Sequence, residues 1–437
     1  MSQAESHTVL IIDDEPNILS TVSDVLTDEG YETLTAATGL EGLDLFEAKR
    51  PDVVFLDIWL ADRDGLELLD TLRNLDPSVA IIMISGHGTV ATAVKAIRMG
   101  AYDYLEKPLS YNQVVETVEK ALEHRKSQSE GAPPAEVGRS RDEIESELIA
   151  PPALPGVVRT GRKHQRTIRR SAVIYGLGLH SGTRTGMVIQ PLPPNTGIHF
   201  LTLPSEKVVP AHVSQVADTD FATTLSLEGE GIKTVEHLLS ALHARGITNL
   251  LIKVHGEIPV LDGSALEFCK VIEEAGIESQ RVARRELVID RPYTVGSGDK
   301  TLTLEPYDGF RVSYHLRYPP PIGEQRFEFE LGEFEGYKTE IAPARTFGFM
   351  RDLKMMAELG LGSGGRLDNF ILVGEDNVLN TELRFPDEFV RHKILDIIGD
   401  LYLLGFPVRG KVTARFTGHR DNIAILRKIL EENPVTD

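Results

Sequence analysis

Two histidines and an aspartate stand where they could grip one divalent cation. His392 and Asp396 lie four apart in Arg391-His392-Lys393-Ile394-Leu395-Asp396-Ile397-Ile398-Gly399-Asp400, and Asp400 continues the row. Ile394, Leu395, Ile397, Ile398 and Leu401 cover one broad face, which predicts a helix, and on a helix His392 and Asp396 sit one turn apart on one side. Alone, that spacing describes many solvated ion pairs. A second helical stretch, Thr234 to Leu242, supplies His237 with Glu236 directly before it. Two histidines and one aspartate make a three-ligand zinc set with an open position, and the neighbouring glutamate is placed to take a proton from water there.

A second constellation is built from oxygen. Asp13 and Asp14 close the apolar run Val9–Ile12, Asp57 closes Val53–Leu56, Ser85 closes Ala80–Ile84, and Lys107 follows Tyr102–Leu105. Such runs, alternating with amphipathic segments, predict a parallel sheet covered on both faces, with its site at the C-terminal strand ends. Three carboxylates there would hold Mg²⁺, and a carboxylate beside that cation can accept a phosphoryl group. Ser85 and Lys107 would then engage the phosphoryl oxygens.

These sites need more than one domain. The chain has 437 residues, 41% hydrophobic and 26% charged, enough for two or three domains with their own cores. Its formal charge of -20 excludes a general nucleic-acid binder. One cysteine, Cys269, rules out a disulfide framework, and its apolar setting predicts a buried thiol in a reducing compartment. Met1 to Thr8 is polar, no signal-peptide pattern follows, and no apolar run is long enough to span a membrane. A cytoplasmic location is expected. Pro133-Pro134, the charged run Arg139 to Glu147 and Pro151 to Pro155 have linker composition, with a short helix over Arg141 to Leu148. The expected division is 1–125, a linker over 126–162, and 163–437. The last part reads as two α+β halves, roughly 164–288 and 289–437, with the metal site between them.

Residues 1–125 resemble the receiver domain of response regulators over their whole length, most like the receivers of nitrogen-regulation-type regulators. The resemblance implies a flavodoxin-like α/β fold, a doubly wound parallel sheet, with Asp57 as phosphoacceptor and Asp13 and Asp14 as Mg²⁺ ligands. Ser85 and Lys107 would be the switch partners, and Tyr104 the aromatic whose rotamer reports phosphorylation. It also implies a sensor histidine kinase or phosphotransfer protein as partner, and a dimer through the receiver. Ala61 stands where the family usually has proline, which alters loop stiffness and removes no chemical group. The competing reading is a receiver fold kept as an interaction module.

The blocks Gly178-Leu179-His180, Thr234 to Leu238, Ala344 to Asp352, Arg391 to Asp400 and Thr417-Gly418-His419 resemble, in that order, the UDP-3-O-acyl-N-acetylglucosamine deacetylases. These are zinc enzymes at the committed step of lipid A synthesis, and the resemblance runs from about Gln165 to about Leu430. It implies zinc on His237, His392 and Asp396, and Glu236 as general base. His419 would stabilise the anionic intermediate and protonate the leaving amine, supported by Asp400, while Thr346 donates to the oxyanion. Lys393 would meet the nucleotide diphosphate and Phe347 the sugar. Tyr318 falls near the family's uracil-stacking aromatic, although Pro319 to Gly323 departs from the pattern. His180 and Asp262 recur in the motifs and are explained equally well by turn geometry. His212, His243, His255 and His315 match no catalytic position. Phe349 to Leu379 corresponds to an insert in which Met355, Met356, Leu359, Leu361, Phe370 and Leu372 would line an acyl passage. The chain stops soon after Leu430, so little of the family's C-terminal tail is expected. The expected activity is zinc-dependent hydrolysis of the substrate's acetamide, modulated by the receiver. The alternative is a catalytically silent sugar-nucleotide sensor or signalling adaptor, against which the presence of ligands, base and His419 together argues.

Overall fold

A computed structural model of the chain describes residues 7–76, 78–86, 96–97, 99–107, 109–129, 141–151, 154, 157–203, 205–358 and 361–434. Pro133-Pro134, Arg139 and Leu359 lie outside the described residues. Two compact units divide the chain, Met1–Ser140 and Arg141–Asp437.

In the first unit, β1 (Thr8–Ile12), β2 (Glu32–Ala36), β3 (Val53–Asp57), β4 (Ala80–Ser85) and β5 (Asp103–Glu106) form one parallel sheet in the order 2-1-3-4-5. Neighbouring side chains along a strand face opposite ways, so each apolar run feeds two cores. Leu10, Val54, Leu56 and Met83 join one, while Val9, Ile11, Phe55 and Ile82 join the other. This is the doubly wound α/β sheet expected. The strand β2 carries no such signal, because Glu32-Thr33-Leu34-Thr35-Ala36 is a half-exposed edge with one strongly apolar side chain. The order reverses between β1 and β3, which opens a crevice where Asp13 and Asp57 leave their strands. The helices α1 (Pro16–Asp28), α2 (Gly39–Lys49) and α3 (Gly65–Leu75), with a further helix over Tyr111–Ser129, complete the described unit.

The second unit takes in part of the stretch with linker composition. A helix over Arg141–Ser146 brings Ile144 against Leu192, Leu201, Val208 and Leu251, and Leu154 and Val157 are buried in the main core. The strand Val158–Ile168 then pairs with Ile277–Val288, which itself joins Val408–Arg415. The two halves therefore share one sheet instead of standing apart. A second sheet, built around Leu250–Val254, belongs to the first half alone.

Two helices, Glu236–Arg245 and Glu388–Asp400, cross at the centre. Their approach requires glycine at 399, where a Cβ would lie 2.0 Å from the Glu236 carbonyl oxygen. The sequence pattern promised one apolar face on Glu388–Asp400. Instead the helix is buried nearly all round, His392, Asp396 and Asp400 included, because it lies between the other helix and the strands Phe310–Arg317 and Glu324–Glu330. Its polar residues are therefore stripped of water.

Candidate metal-dependent active site

The crossing helices bring His237, His392 and Asp396 together, all buried, with one ligand atom from each within 4.8 Å of the others. The His392 Nε2 lies 3.4 Å and the His237 Nε2 3.8 Å from Asp396 Oδ1. Nδ1 of His392 meets the Ala344 carbonyl at 3.0 Å, which assigns the proton to Nδ1 and leaves the Nε2 lone pair facing the cluster. Burial depresses both imidazoles, His237 to about 3, so both are neutral donors at neutral pH. Burial alone would raise the Asp396 carboxyl, yet His392, Lys393, His419 and His237 together hold it well below the usual carboxylate range. Its Oδ1 is buried without a hydrogen-bond partner. Two neutral imidazoles converging on an orphaned carboxylate oxygen is a donor set that fits zinc.

Glu236 and His419 flank this cluster with opposite tendencies. Burial pushes the Glu236 carboxyl up to about 7, and its Oε2 accepts the Thr223 N–H at 3.0 Å. At His419, burial opposes the charged form, but Asp400 and then Asp396 carry it up to about 9. Its Nδ1 donates to Asp400 Oδ2 at 2.7 Å, leaving Nε2 towards Asp396 Oδ2 at 3.8 Å. A proton acceptor and a proton donor thus lie on one floor.

A cavity of about 530 Å³ opens above them, lined by Glu236, His237, His392, Asp396 and His419 together with Tyr318, Thr346, Phe347 and Lys393. The Phe347 ring packs edge-on to Tyr318 at 5.8 Å and to His392 at 6.1 Å. Lys393 sits over Phe347 at 5.5 Å and donates to Asp396 Oδ2 at 3.0 Å, so its ammonium begins as a partner of the ligand cluster. Of the insert residues named from the sequence, Met356 lines the cavity, whereas Leu372 is buried and Met355 exposed. The insert forms a small βαβ-like unit, with Phe347–Phe349 parallel to Ile371–Val373. His180 lines the cavity with both ring nitrogens unpartnered, while Asp262 is tied to Arg384 at 2.8 Å. His243, stacked on Tyr402 and bonded to the Ile398 carbonyl, is a core residue.

Sequence reasoning missed the residues that hold this machinery. Thr223 donates from Oγ1 to Asp400 Oδ1 at 2.7 Å and from its main chain to Glu236, and Asn422 donates to Asp400 Oδ2 at 2.9 Å. The buried pair Arg345–Glu388, 2.9 Å apart, anchors the loop that carries Ala344 and Thr346. Only Arg345, inside a quoted block, offered any signal.

In the first unit Asp13, Asp14 and Asp57 also gather, with Asp14 exposed. Lys107 Nζ reaches Asp13 at 2.9 Å, Asp57 at 2.8 Å and Glu15 at 2.6 Å. Burial works against its charge, but the bonds from Asp13, Asp57 and Glu15 raise its pKa above the lysine range. Three carboxylates at a strand-end crevice are a hard oxygen set that fits Mg²⁺. Ser85 and Tyr104 are buried, Ser85 at the end of β4 and Tyr104 on its partner strand β5.

Comparison with known proteins follows the same division. Residues 165–431 match the family described as UDP-3-O-acyl N-acetylglycosamine deacetylase, and residues 9–119 match the response regulator receiver domain. The chain is 44% identical over 272 residues to a UDP-3-O-acyl-N-acetylglucosamine deacetylase of Anaeromyxobacter sp. (strain Fw109-5), covering 62% of this chain and 89% of the relative. Over 280 residues it is 42% identical to the protein of that name from Myxococcus xanthus, covering 63% and 89%. Among solved structures, the receiver domain of NtrX from Brucella abortus is 45% identical, covering 26% of this chain and 98% of that one, with a TM-score of 0.26. No helix among the described residues is long and apolar enough to cross a membrane.

Proposed function

The chain belongs to the UDP-3-O-acyl N-acetylglycosamine deacetylase family and carries a receiver domain ahead of it; from that premise we propose that it hydrolyses the acetamide of UDP-3-O-acyl-N-acetylglucosamine under control of the receiver. The observation that carries the reading is the pairing of Glu236 and His419 across the His237–His392–Asp396 cluster at the floor of one cavity. Zinc bound by those three residues would acidify water and polarise the substrate carbonyl. Glu236, with its pKa near neutrality, accepts the water proton as the new C–O bond forms. The His419 imidazolium, held by Asp400, stabilises the developing oxyanion and then delivers its proton to the nitrogen as the C–N bond breaks. Thr346 adds a hydroxyl donor, and losing one such donor typically costs about 2.7–4 kcal/mol. The products are the free amine and acetate. Tyr318, Phe347 and Lys393 offer aromatic faces and a cation to the nucleotide sugar.

For the receiver, Asp57 accepts the phosphoryl group from a sensor histidine kinase or phosphotransfer protein with Mg²⁺ on Asp13, Asp14 and Asp57. The phosphorylated form then shifts a two-state equilibrium that modulates deacetylation or dimerisation. The test is acetate release by purified zinc-loaded protein, with and without acetyl phosphate and Mg²⁺. Release that Glu236→Ala abolishes is expected, with a rate that changes on phosphorylation in wild type and not in Asp57→Asn. Zinc-loaded protein that binds the sugar nucleotide and releases no acetate would establish the sensor instead. Equal activity and oligomeric state in phosphorylated wild type and Asp57→Asn would remove the receiver from control.

A further inference from the structure

Glu257 has no part in the chemistry above, yet it is a buried carboxylate, 2% exposed, fully engaged as an acceptor. Its Oε1 accepts the His180 N–H at 2.8 Å and the Thr234 hydroxyl at 3.2 Å, and its Oε2 accepts the Ser181 N–H at 2.9 Å. His180 and Ser181 belong to the turn Gly178 to Gly182, closed by a bond from the Gly182 N–H to the Gly178 carbonyl at 3.1 Å. Thr234 stands two residues before Glu236, with its backbone in the left-handed region at a φ of 62°. One carboxylate therefore ties a surface turn to the start of the helix that carries Glu236 and His237.

The far side of the same turn is stitched to the insert. The Gly364 N–H donates to the Leu179 carbonyl at 3.0 Å and the Ser363 N–H to the His180 carbonyl at 3.3 Å. The approach is close enough that a Cβ on Gly364 would lie 1.9 Å from the Gly178 carbonyl oxygen. Leu179, Phe349 and Met356 form part of the cavity's wall, and Glu236 and His237 its floor. Glu257 thus links the turn in the wall to the helix of the floor, and Ser363 and Gly364 bond the insert to that same turn.

We propose that Glu257 is a positioning residue that fixes the Leu179 turn and the attached insert against the catalytic helix, and that it thereby sets how the enzyme discriminates acyl chains. The proposal rests on the deacetylase reading. A carboxylate is required because both oxygens face N–H donors. A glutamine keeps the size but sets its own NH₂ against one of them, leaving a buried donor without an acceptor. The turn then moves relative to Glu236 while the zinc ligands stay in place.

The test compares Glu257→Gln with wild type on two substrates, a long-chain and a short-chain 3-O-acyl UDP-N-acetylglucosamine. Expected is at least a tenfold rise in KM for the long chain, with kcat within threefold, unchanged zinc content, and a long-to-short ratio of kcat/KM that shrinks. A structural loss without positioning would lower kcat for both chains alike by reducing the active fraction. Gly364→Ala pushes on the turn from the opposite side, leaves Glu257 intact, and should reproduce the shrunken ratio. It carries the test if Glu257→Gln fails to fold. A wild-type ratio in Gly364→Ala, or equal losses on both chains in Glu257→Gln, overturns the proposal. Wild-type turnover is measured in the same assay, so absence of acetate release there indicts the deacetylase reading and not the role of Glu257.

Discussion

In the first unit Asp13, Asp14 and Asp57 meet at the open edge of a parallel sheet; in the second, His237, His392 and Asp396 meet between helices buried on nearly every side. The first site already contains a cation, the Lys107 ammonium, spanning Asp13, Asp57 and Glu15. That single ammonium offsets part of the charge of the three carboxylates before any metal binds, and Asp14 remains in water. The second site has neutral imidazoles and a carboxylate oxygen with no partner. A buried oxygen without a partner is costly, and a cation bound between the three side chains would relieve that cost. Lys393 and His419 flank Asp396 as Lys107 flanks Asp13 and Asp57, so exposure is what separates the two sites: a metal on the first would exchange with solvent, and one in the second would be held.

The largest expected effects test that distinction directly. After gel filtration without added metal, the protein should retain about one zinc per chain and no magnesium, and added Mg²⁺ should restore labelling by acetyl phosphate at once. Equal retention of both ions, read by metal analysis, would erase the contrast. Within the buried site, Glu236→Ala should lower acetate release about 10²- to 10⁴-fold with zinc still bound, whereas Asp396→Ala should lose the metal itself.

Acid should also separate the units. Burial depresses His199 and His243 of the second unit to about 4, against about 6.5 unfolded. A folded pKa below the unfolded value contributes stability that is complete above pH 6.5 and is lost as pH falls towards 4, on the order of 3 kcal/mol for each group. Among residues whose side chains are described, the first unit has no buried histidine. Urea midpoints at pH 7 and pH 5 should therefore drop more for the second unit, and His199→Gln should reduce that drop. Parallel drops in both units would contradict it.

How much of each site the sequence disclosed follows from the same contrast. The receiver's site was legible because every contributor sits at the end of an apolar strand run, where alternation and strand-end polarity mark it. Only β2 escaped, its threonines and Glu32 giving no apolar run. The buried cluster was legible in part, since His392 and Asp396 share a helical period. It was not legible in its support. Thr223 lies 177 residues from Asp400, and no local pattern announces a loop hydroxyl whose partner arrives from a distant helix. The full burial of Glu388–Asp400 was equally invisible, because the sheet and helix that cover it are distant in sequence. Thr223→Val tests this hidden layer. It removes the hydroxyl's bond to the Asp400 carboxylate and its 3.3 Å contact with His419 Nδ1, so kcat should fall about tenfold with zinc content and KM unchanged. A loss as large as that of Glu236→Ala would make Thr223 part of the proton-transfer chemistry.

The smallest expected signal can report one site without the other. Trp59 is the chain's single tryptophan, 60% exposed, and its main-chain N–H donates to Asp57 Oδ1 at 3.2 Å. Mg²⁺ or a phosphoryl group at Asp57 competes for that oxygen and must disturb the segment that carries the indole. Since the second unit holds no tryptophan, zinc entering the cluster of His237, His392 and Asp396 is silent at this wavelength. Titration with Mg²⁺ should therefore produce a modest, saturable change in tryptophan fluorescence that Asp57→Asn weakens, and titration of metal-stripped protein with one equivalent of zinc should produce none. A fluorescence change that saturates at one zinc per chain would mean either that zinc occupies the receiver's carboxylates or that the state of the catalytic unit reaches Trp59. Asp396→Ala separates these, because it removes the second response and leaves the first.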